Sequence, residues 1–238
     1  MAQIKVEYLR HSGDDLAVAD AARCSFDKES DWEYYTESGV STGEIKGLKV
    51  SDAKLIKYLA SHQHTSPFNH CFLTVRVTAP VFVARQLVKH KFMPWNEVSR
   101  RYVKDDPVFY EPEGWRVSAE NVKQGSSAEF VDISSIEYAA DKDSGNCVSF
   151  PFEVNRYALA TYRHLLSIGV CAEQARMVLP QSMLTTWIWS GSLGAFCDML
   201  NLRLDSHTQA ETRVVAQQVA EIIKELFPVS YEALVKEK

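Results

Sequence analysis

The stretch "HCFLTVRVTAPVFVARQLVKHK", residues 70–91, changes its hydrophobic period half-way along. Its first half alternates between apolar and other side chains, and a period of two predicts a strand. The side expected to be buried carries Cys71, Leu73, Val75 and Val77. The second half has helical spacing, and Thr78 with the early proline Pro80 predicts a helix that Thr78 caps. Pro94 ends this helix by about Phe92.

Strands and amphipathic helices are predicted on both sides of this stretch. Further strands are expected over residues 4–9 and 182–189, and loop over residues 28–50. Helices are expected over residues 14–26, 52–63 (capped by Ser51), 149–169, 172–180, 192–204 and 207–227. The polar residues 104–148 are expected to form an insertion or an active-site cover. Strands followed by a helix-rich second half predict an α+β fold. The expected architecture is a single domain, residues 1–238, with a central twisted, mainly antiparallel sheet flanked by helices.

The composition excludes several classes of protein. No apolar run approaches the roughly 20 residues that a helix needs to cross a bilayer, so no membrane partner is expected. Five cysteines form an odd set without a C-x-x-C pair, which favours a reduced, cytoplasmic setting. The net charge of −5 argues against general coating of nucleic acid, although a local basic cluster can still bind one small anion.

Such a cluster follows the predicted helix in "KHKFMPWNEVSRRY", residues 89–102. Cations at a helix C-terminus are favoured by the macrodipole by about 0.3–1 kcal/mol each, which is one explanation for Lys89, His90 when protonated, and Lys91. The other explanation is an anion site. An extended segment would place Glu97, Ser99 and Arg101 on one face. A carboxylate, a hydroxyl and a guanidinium together suit a ribose and a phosphate.

Other polar residues leave their roles open. His62, His64 and His70 invite a metal site, but no H-E-x-x-H motif or Cys/His pair accompanies them, so ordinary histidines or cofactor contacts are favoured and no metal is expected. Arg176 and Arg203 lie among apolar residues, where an arginine usually extends its head to solvent but can also meet a buried anion.

Several ordered motifs resemble one known family, the flavin-dependent thymidylate synthases. They are "HTSPFNH" (64–70), "APVFVARQLVKHK" (79–91), "NEVSRRY" (96–102), "EQARMVLP" (173–180) and "LNLRLDSHTQAE" (200–211). The family carries Arg-His-Arg, seven residues and then serine, and Lys91 and Ser99 keep that spacing. Departures from the family pattern are lysine at positions 89 and 91, Asn69 in place of a common glutamate, and Ser192 and Gly194 in place of asparagine and arginine.

The resemblance implies a reaction and its co-substrates. In this family dUMP and 5,10-methylenetetrahydrofolate give dTMP, with FAD as the hydride carrier and NADPH as the reductant. The family is a homotetramer whose active sites combine residues from several protomers. It requires no cysteine nucleophile, which agrees with cysteines that lie outside any basic, thiolate-stabilising motif.

The resemblance also implies site residues. The expected dUMP contacts are Gln86, Lys89, Glu97, Val98, Ser99, Arg100, Arg101, Arg176 and Arg203, with Arg203 as the catalytic residue at the uracil ring. The expected FAD contacts are His64, Ser66, Lys89, His90, Lys91, Asn96, Glu97, Ser192, Gly194 and Asp198. Two alternatives remain open: a flavin or nucleotide enzyme of another reaction, and a single-stranded nucleic-acid binder that uses "VKHKFMPW".

Overall fold

The computed structural model describes residues 3–35, 45–119, 127–132 and 151–236. Its strands are β1 (Lys5–Ser12), β2 (Glu33–Tyr35), β3 (Ile45–Gly47), β4 (Phe72–Pro80), β5 (Trp95–Glu97) and β6 (Leu184–Ser192). Its α-helices are α1 (Asp15–Arg23), α2 (Val50–Ser61), α3 (Val81–Leu87), α4 (Pro151–Ser167), α5 (Ala172–Ala175), α6 (Leu193–Arg203), α7 (Ala210–Leu226) and α8 (Pro228–Leu234). Short 3-10 turns cover Cys24–Phe26, Ser66–Asn69 and Arg176–Val178.

A four-stranded antiparallel sheet in the order β1-β4-β6-β5 forms the centre of the fold. Its inner face pairs Val75 with Trp189 and Val77 with Trp187, and all four side chains are buried. Buried residues of α6 and α7 complete the same core, because each of these helices has an apolar stripe. The predicted α+β fold with a mainly antiparallel sheet and flanking helices is confirmed, while the single-domain assignment stays a prediction.

The predicted helix cap at Thr78 is wrong. Thr78 lies in β4, and its hydroxyl oxygen is 2.9 Å from that of Thr186 on β6, so the hydroxyl is engaged across the sheet. The N-cap position of α3 is Pro80, two residues later. The orphan amide of Val81 donates to the carbonyl of Met183 at 3.0 Å, so the chain before β6 satisfies this helix start.

Two predictions between residues 28 and 63 also differ from the structure. The polar pattern of residues 28–50 predicts loop, but Glu33 pairs with Gly47 across the antiparallel ribbon of β2 and β3. Each strand has only three residues, too few for a hydrophobic period to appear. Ser51 lies inside α2 and does not cap it, because the helix begins one residue earlier, after Lys49.

Helix α8 is absent from the sequence prediction, and it is held in place by a buried carboxylate. Asp15 accepts hydrogen bonds from the amide of Val229 at 2.8 Å and the amide of Ser230 at 2.9 Å, and also from the Ser230 hydroxyl. Desolvation is the largest influence on this carboxyl and raises its pKa. The two partners of Asp15 lie 214 and 215 positions away in sequence, so no local pattern reveals them.

The predicted end of the helix over residues 149–169 agrees with the structure. Helix α4 ends at Ser167, and Gly169 follows with φ of +90°, a left-handed conformation that glycine adopts without strain. Of residues 104–148, only 104–119 and 127–132 are described, so about half of the predicted cover lies outside the described residues and its role stays a prediction. Within the described ranges, every helix is too short or too polar to cross a bilayer.

Candidate active site

Arg203, the last residue of α6, is a half-buried cation with neutral partners. Its Nε donates to His90 Nε2 at 3.1 Å, and its Nη2 donates to the backbone carbonyl of Gln86 at 3.1 Å. Desolvation lowers the pKa of this guanidinium, which nevertheless keeps its charge at neutral pH. Among the described residues, no carboxylate forms an ion pair with it. Its remaining N–H groups can therefore serve an anionic or electron-rich ligand.

His90 is the neutral partner of Arg203 and not the cation that the sequence suggested. Burial, and after it the positive charge of Arg203, lower the pKa of its imidazole to about 4. Its ring lies 6.5 Å from the ring of Trp189, and its amide donates to the carbonyl of Leu87 at 3.1 Å. His90 is therefore neutral at pH 7, and its charged neighbour Arg203 lies 113 positions away in sequence.

Gln86 joins the same group through its side chain. Its Nε2 donates to Oε1 of Gln209 at 2.6 Å, and Gln209 occupies the N-cap position of α7. Gln209 was not predicted as a site residue, although it lies inside the motif "LNLRLDSHTQAE". Gln86, His90, Arg203 and Gln209 are called the Arg203 cluster below.

A second group forms around Glu173 at the start of α5. The Arg101 Nε donates to the Glu173 carboxylate at 3.2 Å, and the Arg176 Nε donates to the Glu173 backbone carbonyl at 3.3 Å. The Ser99 hydroxyl accepts from the Arg101 amide at 3.3 Å. These four residues are called the Glu173 cluster. Both arginines are exposed, so they can bind an anion from solvent. No hydrogen bond or ion pair between described residues joins the two clusters.

The expected extended face of Glu97, Ser99 and Arg101 does not form. Strand β5 stops at Glu97, and the amides of Tyr102 and Val103 both donate to the Ser99 carbonyl, which creates a turn. The structure nevertheless brings Ser99 and Arg101 together, through the turn and not through a strand.

The Glu97 side chain forms its hydrogen bonds with residues outside both clusters. Its Oε1 accepts from the Thr185 hydroxyl at 2.8 Å, and its Oε2 accepts from the Trp95 indole N–H at 3.1 Å. The neighbouring Val98 donates its amide to the Thr186 carbonyl of β6, and the Arg100 guanidinium donates to the Asp105 carbonyl.

Most of the residues expected at the flavin lie near the two ends of α6, while Asn96 and Glu97 lie on β5. Lys89, His90 and Lys91 follow α3, near Arg203 at the C-terminal end of α6, and both lysines are exposed and make no ion pair with a described residue. At the other end of α6, the 3-10 turn Ser66–Asn69 packs against the helix. His64 and Ser66 are exposed there, and Asn96 is exposed on β5. The eleven residues of α6 span about 16 Å.

Three positions that depart from the family pattern, Asn69, Ser192 and Gly194, contact one another near the start of α6. Ser192 caps α6 and donates its hydroxyl to Asn69 Oδ1 at 2.7 Å, so this hydroxyl is already engaged within the protein. A Cβ at Gly194 would lie 2.6 Å from the same Asn69 oxygen, so no side chain fits there unless Asn69 moves. Asp198 is exposed one turn further on, and desolvation raises its pKa. A flavin contact by Ser192, Gly194 or Asp198 stays a prediction.

A separate cleft of about 460 Å³ lies beside the start of α7, and its described charged lining is mainly acidic. Its charged lining residues are Glu111, Glu113, Glu211 and Arg116. Arg116 donates two hydrogen bonds of 2.8 Å to the Glu211 carboxylate. Among the described lining residues, the one cation, Arg116, is paired and carboxylates are in excess, which disfavours a phosphate there.

Among the described residues, no metal-binding cluster is present and two of the thiols are buried. No group of three or more His, Cys, Asp and Glu side chains in the described ranges is placed to hold a metal ion. Burial raises the pKa of the Cys71 thiol to about 11, and it also raises the pKa of Cys197, which is almost fully buried. These two thiols remain protonated at neutral pH and are poor nucleophiles.

The sequence pattern of a family described as thymidylate synthase complementing protein matches residues 7–229. Flavin-dependent thymidylate synthases from Thermus thermophilus and Kosmotoga olearia are 36% and 37% identical to the chain, over 228 and 221 residues. Those alignments cover 96% and 93% of this chain, and 74% and 85% of the respective relatives. This chain belongs to the flavin-dependent thymidylate synthase family.

A solved structure supports the family assignment at the level of the fold. The UMP/dUMP methylase PolB from Streptomyces cacaoi, bound with 5-Br dUMP, superposes with a TM-score of 0.73 at 27% identity. The comparison covers 98% of this chain and 95% of the methylase. The likeness therefore extends over the central sheet and its helices together.

Proposed function

We propose that this protein catalyses the reductive methylation of dUMP to dTMP. In this proposal 5,10-methylenetetrahydrofolate donates the one-carbon unit, FAD is the bound hydride carrier and NADPH is the reductant. The observation that carries the proposal is the Arg203 guanidinium: half-buried, without a carboxylate partner among the described residues, and held by two neutral acceptors. A preorganised cation of this kind suits a pyrimidine ring that becomes electron-rich during methylation.

Arg203 is the catalytic residue of this proposal. It would donate hydrogen bonds to the uracil ring and stabilise the negative charge that develops there. Removing one preorganised donor of this kind typically costs about 10²–10³ in rate. The Gln86 side chain lies in the same cluster and would contact the same nucleotide, with its amide oriented by Gln209.

The Glu173 cluster would bind the dUMP phosphate. Arg101 and Arg176 are exposed, and an exposed ion pair such as Arg101–Glu173 contributes only about 0–1 kcal/mol. A phosphate can therefore replace Glu173 at little cost and form charge-assisted bonds with both guanidinium groups. Ser99 and Arg100 would add donors from the turn, while Glu97 and Val98 would lie near the ribose.

A bound flavin supplies hydride chemistry that amino-acid side chains lack. Lys89 and Lys91 would hold its pyrophosphate, and His64, Ser66 and Asn96 would contact the remainder. Lysine keeps the charge of the family's arginine but lacks its planar fork, so each lysine would bind phosphate as a point charge.

The proposal includes self-association, with active sites shared between copies of the chain. The two clusters each hold part of the dUMP contact set, and no bond between described residues connects them. A homotetramer with shared active sites would bring the Arg203 cluster of one protomer to the Glu173 cluster of its partner. This proposal includes a cytoplasmic location, which agrees with the free state of the four described cysteines.

The direct test is tritium release from [5-³H]dUMP with methylenetetrahydrofolate and NADPH, together with the absorption spectrum of the purified protein. The proposal requires a flavin band and tritium release that depends on all three substrates. A yellow protein that releases no tritium would overturn the methylation and favour a flavoenzyme of another reaction. A colourless protein that does not bind added FAD would overturn the whole proposal. UMP in place of dUMP, under the same conditions, measures how strictly the site excludes the ribonucleotide.

A further inference from the structure

We propose that His90 is a positioning residue: a neutral hydrogen-bond acceptor that fixes the orientation of the Arg203 guanidinium. It would not act as a cation of the cofactor site. The kinetic consequence rests on the proposed function, because Arg203 must act on the pyrimidine for its orientation to matter. The hydrogen bond itself is independent of that function.

The direction of the hydrogen bond defines the protonation of His90. The Arg203 Nε carries a single N–H, and it lies 3.1 Å from His90 Nε2. Arginine is always a donor, so Nε2 must present a lone pair. A protonated imidazole has no lone pair to offer, and the neutral ring must carry its hydrogen on Nδ1. His90 is therefore defined as the Nδ1–H tautomer of the neutral ring.

The surroundings of His90 hold this acceptor in place. The ring is half-buried against the fully buried Trp189, and the backbone is fixed by the bond from the His90 amide to the Leu87 carbonyl. Burial and the charge of Arg203 both oppose protonation of the ring. The position is thus rigid and uncharged, although it is flanked in sequence by Lys89 and Lys91.

Arg203 also forms a hydrogen bond with the C-terminal end of α3. Its Nη2 donates to the carbonyl of Gln86, one of the last carbonyl groups of α3, which have no partner within that helix. A cation at a helix C-terminus is favoured by the macrodipole, and here Arg203 supplies that cation from α6 while His90 stays neutral. Two bonds from different nitrogen atoms fix the plane of the guanidinium and leave its other N–H groups in a defined direction.

Three substitutions at position 90 separate an acceptor from a cation. A glutamine side chain offers a neutral acceptor of similar reach, so His90→Gln should keep kcat within a few-fold of the wild type. His90→Leu removes the acceptor and His90→Lys places a second cation beside Arg203. Both should lower kcat by about 10²-fold, the usual cost of a misplaced catalytic group, while flavin content is retained. If His90→Lys is the most active and best-flavinated of the three, His90 is a cofactor cation and the inference is overturned.

A double-mutant cycle tests whether His90 acts through Arg203. Calorimetric dUMP affinity is measured for the wild type, His90→Leu, Arg203→Ala and the double variant. We expect His90→Leu to weaken binding in the wild-type background and to have no further effect once Arg203 is alanine. Equal losses in both backgrounds would mean that His90 acts independently of Arg203, against the inference.

The hydrogen bond can be tested without any turnover. In protein labelled with ¹⁵N-histidine at pH 7, the His90 signals, assigned by their loss in His90→Gln, should show a protonated Nδ1 and an unprotonated Nε2. An imidazolium or an Nε2–H tautomer would overturn the inference whatever the reaction is. Wild-type protein that shows the expected tautomer but no tritium release would instead overturn only the proposed function.

Discussion

The two arginine clusters differ in how their cations are partnered. Arg203 is half-buried and bonded to neutral acceptors, a ring nitrogen and a backbone carbonyl. Arg101 is about half exposed and paired with the Glu173 carboxylate. The neutral acceptors hold the Arg203 guanidinium in place and leave its charge uncompensated. The Glu173 carboxylate compensates the charge of Arg101 but holds this exposed side chain only weakly. A site that must stabilise developing charge needs the first arrangement, whereas a site that binds and releases a phosphate is served by the second.

The largest expected effect follows the loss of the fixed cation. Arg203→Ala should lower kcat for dTMP formation by about 10²–10³-fold or more, because the remaining donors cannot replace it. The control is Arg156→Ala, which removes an exposed arginine paired with Glu153 and should leave kcat unchanged. Circular dichroism should show both variants folded. Normal turnover by folded Arg203→Ala would remove Arg203 from the chemistry.

The next effect tests whether the clusters meet between protomers. Arg203→Ala and Arg101→Ala are co-expressed with different affinity tags, and the mixed oligomer is purified. It is assayed at a dUMP concentration well below the raised KM of Arg101→Ala, where each variant alone is weakly active. Random assembly of sites shared between two protomers should restore about a quarter of wild-type activity, because about one site in four then has both arginines. No recovery in a verified mixed oligomer would mean that both clusters act within one chain.

A smaller effect is expected from the exchangeable cation. Arg101→Ala removes a charge-assisted bond of about 1.5–3 kcal/mol, so the KM for dUMP should rise about 10–100-fold and depend less on salt, with kcat nearly unchanged. Glu173→Gln is the matched variant with the opposite expected effect on KM, since it releases Arg101 from an exposed ion pair. It should lower KM by less than about fivefold. A fall in kcat of Arg101→Ala as large as the rise in its KM would contradict a role restricted to binding.

The smallest effect concerns the pH dependence of stability. The folded pKa of His90 is about 4, below its ordinary 6.5, so the unfolded chain binds a proton more readily between these values. The contribution of neutral His90 is complete above pH 6.5 and is lost progressively as the pH falls towards 4. The Tm of the wild type should therefore fall relative to that of His90→Gln over this window. Parallel Tm curves would contradict a buried, neutral His90.

The predictable features were those written in local patterns. The alternation around Val75 and Val77 predicted β4, and the glycine at 169 predicted the end of α4. The motifs also identified the arginines of both clusters. Their partners were hidden, because Glu173 lies 72 positions from Arg101 and His90 lies 113 positions from Arg203. Thr78 was misread as a cap for the same reason, since its partner Thr186 is 108 positions away. Protonation states and helix caps that depend on such distant contacts can be assigned only from the folded structure.

The central claim is that the orientation of the Arg203 guanidinium matters, and not only its charge. Arg203→Lys tests it most directly, because lysine keeps the cation but loses the planar fork and the Nε–H that His90 accepts. At saturating dUMP and methylenetetrahydrofolate, with the flavin reduced, the rate of tritium release should fall by about 10²-fold while flavin content is retained. A rate equal to that of the wild type would show that a positive charge alone is enough, and the account would be wrong.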